Sequence, residues 1–213
     1  MESALMTVLK RCAAGVLLLL LALPVPAQNI LLIGDSISAA FGLEIEQGWV
    51  SLLQKRLEEQ DYPYRVVNAS VSGETTAGGL ARLPALLEQV QPQLVIIELG
   101  GNDGLRGLPA ANMQQNLSAM VEQSRASGAD VILLGMRIPP NYGPRYNDAF
   151  EQVFVDLSQS LDVPLVPFLL EGVGTVPELM LDDGIHPGAA AQPLLLDNAW
   201  PVIRQWLDGI DSR

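Results

Sequence analysis

A chain of 213 residues with 24 acidic and 12 basic side chains carries a net charge of −12 at neutral pH. Such a surface repels the phosphates of nucleic acids and of anionic membranes, so we expect no nucleic-acid partner. The sequence holds one histidine, His186, and one cysteine, Cys12, which excludes a metal site built from several imidazoles or thiolates.

The first 27 residues have the pattern of a secretory signal peptide. A Lys-Arg pair precedes an apolar run over residues 13–23, and the segment ends in Pro-Val-Pro-Ala at Ala27. The apolar run is too short to span a bilayer as a helix. We therefore predict cleavage after Ala27, a single mature domain of residues 28–213 in the periplasm or outside the cell, and no stable membrane insertion after cleavage.

Five apolar runs in the mature segment predict buried β-strands. They lie at residues 30–33, 65–68, 94–99, 131–134 and 165–166. Continuous apolar strands of this kind are typical of a parallel sheet that helices cover on both faces.

Helical patterns alternate with these runs at about residues 48–60, 76–90, 112–127 and 144–161, with a last helix at 187–207. The alternation predicts an α/β fold, a three-layer α/β/α sandwich around a flavodoxin-like, doubly wound parallel sheet of about five strands in the order 2-1-3-4-5. Ligands of such sheets bind beyond the carboxyl ends of the strands, where the strand order reverses. We therefore expect functional residues in the loops that follow the first three strands.

Two of these loops carry polar residues suited to chemistry. The first strand ends in Gly-Asp-Ser, and Ser36 at the start of a following helix would expose its hydroxyl above the sheet, although a plain helix cap is the alternative. The third strand ends in Gly-Gly-Asn-Asp, where Asn102 is able to donate to an oxyanion and Asp103 is able to orient backbone. An ordinary Gly-Asn-Asp turn is the alternative there.

The loop after the second strand and the single histidine add further candidates. Gly73 lets its backbone N–H approach a substrate oxygen, whereas Ser72 or Thr75 is suited to start the next helix. Pro187 suits the first position of a helix and disfavours helical geometry before it, which predicts His186 on the loop that enters the last helix. Asp183, three residues earlier, is placed to accept the Nδ1 proton and leave Nε2 as a base.

These blocks resemble, in their order, the four sequence blocks of the SGNH, or GDSL, hydrolases. The blocks are Gly34-Asp35-Ser36, Gly73 within loop 68–76, Gly101-Asn102-Asp103 and Asp183-Gly184-Ile185-His186. The resemblance covers nearly the whole mature chain. It is closest to the bacterial periplasmic group described as thioesterases, lysophospholipases and arylesterases, to judge by residues 100–107, 140–143 and 182–187.

The resemblance implies a role for each matching residue. Ser36 would be the nucleophile, His186 the general base and later acid, and Asp183 the acid that orients the imidazole. The oxyanion hole would consist of the backbone N–H groups of Ser36 and Gly73 and the side-chain amide of Asn102. This chemistry needs no metal and no organic cofactor, because imidazole transfers the proton and amides stabilise the oxyanion.

Two competing readings of the site are open to test. An α/β-hydrolase nucleophile elbow requires Gly two residues after the serine, and Ser38 stands two residues after Ser36, so this design is disfavoured. Asp182 competes with Asp183 as the partner of His186, and the family spacing favours Asp183.

For the activity, the resemblance implies a serine esterase that forms an acyl-enzyme on carboxylic esters and thioesters. We expect the protein to be a monomer. The substrates it implies are aryl esters, lysophospholipids and acyl thioesters, and export favours the first two because coenzyme-A thioesters are cytoplasmic. Six apolar residues after the catalytic blocks either line an acyl groove or belong to the core: Leu105, Leu108, Met136, Ile138, Pro139 and Pro140. The alternatives are an exported acyl- or glycan-binding protein on the same fold and a carbohydrate O-deacetylase.

Overall fold

Five parallel strands form one sheet in the computed structural model, which describes residues 28–210. The strands are β1 Gln28–Gly34, β2 Tyr64–Asn68, β3 Leu94–Glu98, β4 Asp130–Leu134 and β5 Leu165–Val166. They pair in the order β2-β1-β3-β4-β5, which confirms the order predicted from the sequence. The predicted signal peptide at residues 1–27 lies outside the described residues.

Six α-helices lie within the described part of the chain. They are α1 Trp49–Glu59, α2 Thr76–Val90, α3 Gly101–Leu105, α4 Ala110–Ala126, α5 Pro144–Leu161 and α6 Gln192–Ile210. Helix α1 packs against α6, whereas α2, α4 and α5 pack side by side, and the two groups form the outer layers of the predicted sandwich. None of these helices combines the length and the apolar character that a membrane crossing requires.

The central strands β1 and β3 each contain an uninterrupted apolar run because helices cover both of their faces. All four side chains of residues 30–33 in β1 are fully buried, and residues 94–97 in β3 are at most 1% exposed. Burying one such aliphatic side chain contributes about 1.5–3 kcal/mol to stability. These strands therefore show no alternation of polar and apolar residues, and they form a rigid platform for the loops at their carboxyl ends.

The last helix begins later than the sequence predicts. Pro187 does not occupy a first helical position but forms an isolated antiparallel bridge with Met180, and a 3₁₀ turn at Ala189–Ala191 precedes α6. Gln192 holds this entry, because its Oε1 accepts from the backbone N–H of Trp49 at 2.9 Å while its Nε2 donates to the Pro187 carbonyl at 3.1 Å. The bridge between Met180 and Pro187 fixes the conformation of the loop that carries His186.

Gly135, directly after β4, lies closer to neighbouring backbone than any other glycine of the described chain. Its N–H donates to the Val166 carbonyl at 2.7 Å, and a Cβ at this position would collide with the carbonyl oxygen of Pro167. Backbone yields less easily than a side-chain tip, so Gly135→Ala should lower the free energy of unfolding by on the order of 1–3 kcal/mol in urea denaturation. In Gly174→Ala, where the new Cβ would meet neighbours at 3.6 Å, we expect little change. Equal losses in both variants would contradict this explanation.

Candidate active site

Ser36 lies in a turn directly after β1, at the carboxyl end of this strand. Asp35 fixes the turn, because its Oδ1 accepts the backbone N–H of Ile37 at 3.0 Å. No regular helix follows, since the chain turns again at Ala40, whose φ is +57°, and α1 begins only after a further loop. The expectation of a serine at a helix start is therefore wrong, although the half-buried hydroxyl still lies above the sheet.

His186 reaches Ser36 from the long loop between β5 and α6. Its Nε2 lies 2.9 Å from Ser36 Oγ, and its Nδ1 lies 2.7 Å from Asp183 Oδ2. Asp182 makes no hydrogen bond to the ring among the described residues. With a proton on Nδ1, which points to a carboxylate, Nε2 is free to accept the proton of the serine hydroxyl.

Hydrogen bonds from its own loop stabilise the ionised form of Asp183. Its carboxylate accepts the backbone N–H groups of His186 and Ile185, both at 2.9 Å, in addition to the ring contact. These hydrogen bonds, the backbone N–H of His186 foremost, lower the pKa of Asp183 from 3.8 to about 2. The ionised partner of the imidazole is thus present throughout the neutral and mildly acidic range.

Phe41 covers one face of the imidazole. The centroids of the Phe41 and His186 rings lie 4.3 Å apart with an interplanar angle of 34°, and the Phe41 side chain remains 47% exposed. A ring in this position restricts rotation of the imidazole. The sequence offered no indication of this contact, because the two residues are far apart along the chain.

Gly73 and Asn102 follow the two strands that flank β1. Gly73 has a φ of +78°, which few residues other than glycine adopt, and its carbonyl accepts from Arg106 Nη2 at 2.8 Å. Within residues 28–210, no hydrogen bond uses the backbone N–H of Gly73 or of Ser36. Asn102 donates one Nδ2 hydrogen to Asp35 Oδ2 at 3.0 Å, which leaves its second amide hydrogen available.

Asp103 ties the loop after β3 to the start of α2. Its Oδ2 accepts the Thr76 backbone N–H at 2.8 Å and its Oδ1 accepts the Thr76 hydroxyl at 2.6 Å. Thr75 caps α2 by accepting a backbone N–H from the first turn. Asp103 therefore orients neighbouring backbone as predicted, and of the two candidates Ser72 and Thr75 it is Thr75 that starts the helix. The short helix α3, which begins after Gly100 at a φ of +119°, was not predicted.

Two buried carboxyl groups lie beneath the serine turn, and sequence analysis assigned a role to neither. Asp35 is 2% exposed, and Glu98, the last residue of β3, is fully buried. Glu98 Oε2 accepts the Asp35 backbone N–H at 3.2 Å and the Ser38 hydroxyl at 2.8 Å, and Ser38 Oγ in turn accepts Trp49 Nε1 at 3.2 Å. In the sequence, the indication of this buried pair is Glu98, an acidic residue at the end of an otherwise apolar strand.

Burial dominates the electrostatics of this carboxyl pair. It raises the pKa of Asp35 from 3.8 to about 6, against the opposing effect of hydrogen bonds from Ile37 and Asn102. Burial, and next the negative charge of Asp35, raise the pKa of Glu98 well above 4.5. No Lys or Arg of the described chain forms an ion pair with either carboxyl group.

The apolar residues after the catalytic blocks divide into two groups. Met136 and Ile138 are buried in the core, where Ile138 packs against α3, so the core reading is correct for these two. The half-buried or exposed members are Leu105, Leu108, Pro139 and Pro140. Only this second group stays available to contact a substrate.

Comparison with known proteins places this arrangement in a family. Residues 32–193 match the profile of the GDSL-like lipase/acylhydrolase family. The chain belongs to this family. As a GDSL hydrolase, it is 59% identical over 190 residues to the esterase TesA of Pseudomonas aeruginosa, with 89% of this chain and 94% of the relative covered.

A second relative and a solved structure agree with this assignment. The chain is 45% identical over 171 residues to thioesterase 1/protease 1/lysophospholipase L1 of Escherichia coli, which covers 80% of this chain and 81% of the relative. A crystal structure of TesA superposes with a TM-score of 0.82 at 60% identity and covers 84% of this chain and 99% of the other. The family resemblance of the four sequence blocks is thus confirmed, and the protein is a hydrolase of the GDSL type.

Proposed function

We propose that this GDSL hydrolase is an exported serine esterase that cleaves carboxylic esters and thioesters with Ser36, His186 and Asp183. One observation carries the proposal: the unbroken row of hydrogen bonds from Ser36 Oγ to His186 Nε2 at 2.9 Å and from His186 Nδ1 to Asp183 at 2.7 Å. The names of the relatives, which include esterase, thioesterase and lysophospholipase, support it.

Catalysis proceeds in two halves. Ser36 Oγ attacks the carbonyl carbon while His186 Nε2 takes the hydroxyl proton, and the collapse of the tetrahedral intermediate breaks the bond to the alcohol or thiol, which leaves with that proton. Water then attacks the acyl carbon while His186 Nε2 takes a proton from it, and collapse of the second tetrahedral intermediate breaks the bond to Ser36 Oγ, which receives that proton as the carboxylic acid leaves. Asp183 stays ionised and stabilises the imidazolium in both halves.

The oxyanion is stabilised by three N–H donors: the backbone groups of Ser36 and Gly73 and the free Nδ2 hydrogen of Asn102. Support comes from the absence of any other hydrogen-bond partner for the two backbone groups in residues 28–210. Donors that are fixed before the reaction lower the barrier because they need no reorganisation when charge develops.

Exposed apolar side chains on the catalytic loops support an acyl-chain substrate. Phe41, Val71, Leu108 and Ile185 are between 38% and 47% exposed. Phe41 and Leu108 follow the first and third sequence blocks, whereas Val71 and Ile185 lie within the second and the last. A monomeric soluble protein seldom clusters large exposed apolar residues without a ligand or surface to cover them. Aryl esters and lysophospholipids present apolar groups of this kind next to the scissile ester.

The activity is tested with p-nitrophenyl esters of rising acyl length, a lysophospholipid and an acyl thioester, each assayed with wild type and with Ser36→Ala. We expect turnover of all three classes by wild type and loss of turnover in the variant. Tight binding of acyl or glycan ligands without turnover would instead identify a binding protein. A strong preference for acetylated oligosaccharides over every lipid or aryl ester would identify an O-deacetylase.

Export follows from the predicted signal segment. We expect the protein recovered from the cell envelope or the medium to begin at Gln28, because the signal peptidase cleaves after the small residue Ala27. Cell fractionation followed by amino-terminal sequencing measures this directly. A chain that keeps its first residues and stays in the membrane fraction would show that residues 1–27 act as an anchor.

A further inference from the structure

We propose that Glu98 is the positioning residue of the active-site turn: held beneath it as a neutral acid, it fixes Ser36 and, through Asp35, the amide of Asn102. The inference rests on the proposed function, because it concerns how the same site is held in its working geometry. Glu98 touches neither the substrate nor the imidazole in the proposed mechanism, so its action is indirect.

Glu98 accepts hydrogen bonds from two residues, one on each side of Ser36 in the chain. Its Oε2 accepts from the Asp35 backbone N–H at 3.2 Å and from the Ser38 hydroxyl at 2.8 Å, and these two donors lie on either side of Ser36 in the chain. A Cβ on Gly34 would lie 2.7 Å from the same oxygen, so glycine is what allows the carboxyl to approach the backbone so closely. The position of Ser36 therefore depends on a group at the end of the neighbouring strand.

The same turn holds the oxyanion donor. Asp35 Oδ1 accepts the Ile37 N–H at 3.0 Å, and Asp35 Oδ2 accepts the Asn102 amide at 3.0 Å. The second contact fixes the rotation of the Asn102 amide and so directs its remaining hydrogen. Because Glu98 fixes the backbone of Asp35, it also fixes the carboxylate that orients Asn102.

The distribution of hydrogen-bond donors places the negative charge on Asp35 and the proton on Glu98. Both oxygens of Asp35 receive N–H groups, whereas Glu98 Oε1 is buried without a partner in residues 28–210. A buried anionic oxygen without a donor is far more costly than a neutral one, and two adjacent buried anions repel each other. The raised pKa of Glu98 agrees with this assignment.

A neutral Glu98 also suits the charge changes of the reaction. The lone carboxylate of Asp35 interacts electrostatically with His186 and so stabilises the imidazolium that forms when Ser36 attacks, in addition to the direct contact of Asp183. A second negative charge at Glu98 would oppose the oxyanion that develops above the same turn. With Glu98 protonated, Asp35 alone of this buried pair is negatively charged, and that charge stabilises the imidazolium.

The first test compares Glu98→Gln with Glu98→Leu, and uses Glu88→Gln on the exposed face of α2 as the control for loss of a glutamate. Glutamine keeps an uncharged oxygen acceptor of the same shape, so we expect kcat within about threefold of wild type. Leucine fills the space but accepts no hydrogen bond, so we expect kcat to fall about tenfold to a hundredfold with little change in KM. Retention of kcat in Glu98→Leu, or an equal fall in Glu98→Gln, would overturn the proposal.

The second test detects the proton on Glu98 by spectroscopy. It depends neither on activity nor on whether Glu98→Leu folds. In wild type labelled with ¹³C-glutamate, infrared spectra at neutral pH should show the carbonyl band of a protonated carboxyl group that disappears in Glu98→Gln. Its absence from wild type would overturn the neutral acid even if Ser36 proves to be the nucleophile. Conversely, an active Ser36→Ala enzyme would refute the proposed function and leave this band unaffected.

The proton on Glu98 should also make the free energy of unfolding depend on pH. Glu98 faces Asp35, and its folded pKa lies above the value of 4.5 expected without burial, so the folded state binds the proton more tightly. The stability that this proton provides is complete below about pH 4.5 and is lost as the pH rises towards the folded pKa. Relative to Glu98→Gln, wild type should therefore lose unfolding free energy as the pH is raised; a constant difference would contradict the proposal.

Discussion

Ser36→Ala is expected to lower kcat for a p-nitrophenyl ester by about 10⁴-fold or more while leaving the fold intact. Without the hydroxyl no acyl-enzyme forms, and the remaining donors accelerate only direct attack by water. Within residues 28–210 the hydroxyl has one side-chain partner, His186, so its loss leaves no group of the described core unpaired. Steady-state kinetics and urea denaturation of the same preparations measure both effects.

The matched control is Ser118→Ala, which removes an exposed serine hydroxyl of α4. It should retain wild-type kcat and stability. A phosphonate ester that reacts with serine nucleophiles should label wild type once, at the peptide that contains Ser36, and should leave Ser36→Ala unlabelled. If Ser36→Ala turned over ester at the wild-type rate, or if the label appeared on another residue, the nucleophile would have to be reassigned.

The buried parallel sheet was predictable from the sequence because its physical cause is visible there, whereas the strand order was predicted from the likeness to flavodoxin-like sheets. Strands that helices cover on both faces are apolar at every position, and residues 30–33 and 94–97 follow this rule without exception. The helices that begin at Thr76 and Pro144 were predicted at their observed bounds, since a threonine cap precedes the first and a proline occupies the first turn of the second.

Local rules failed where distant residues decide the conformation. Pro187 suits a helix start by its fixed φ, yet the same φ suits the bridge to Met180, and the bridge together with Gln192 delays α6. Helix α3 has five residues and is too short to show an apolar period. In each case the sequence near the site permits several conformations, and contacts from elsewhere in the chain select one.

The residue types of the candidate site could be predicted from the sequence, but the contacts that hold these residues in place could not. Ser36, Asn102 and His186 occur in blocks that resemble a known family, whereas the ring of Phe41 against the imidazole belongs to no block. Glu98 is visible in the sequence as an acid in an apolar strand, but its contact with the turn depends on the pairing of β1 with β3. Support of this kind arises from strand register, which a single sequence does not reveal.

Asn102→Ala is expected to lower kcat by about 10²–10³-fold with a smaller change in KM. The amide hydrogen that is free in the resting site would bind the oxyanion more strongly than the uncharged carbonyl, so its loss raises the barrier rather than weakening substrate binding. Kinetics on one ester with wild type and the variant separate the two parameters.

Asn112→Ala in the first turn of α4, an exposed position, provides the control and should leave kcat unchanged. Asn102→Asp offers a sharper comparison, because a carboxylate at this position would face Asp35 and would lack the amide hydrogen, and it should be at least as inactive as the alanine variant. Full kcat in Asn102→Ala would remove Asn102 from the oxyanion hole. A rise in KM alone would make it a ground-state binding residue, and the two backbone N–H groups would then have to stabilise the oxyanion by themselves.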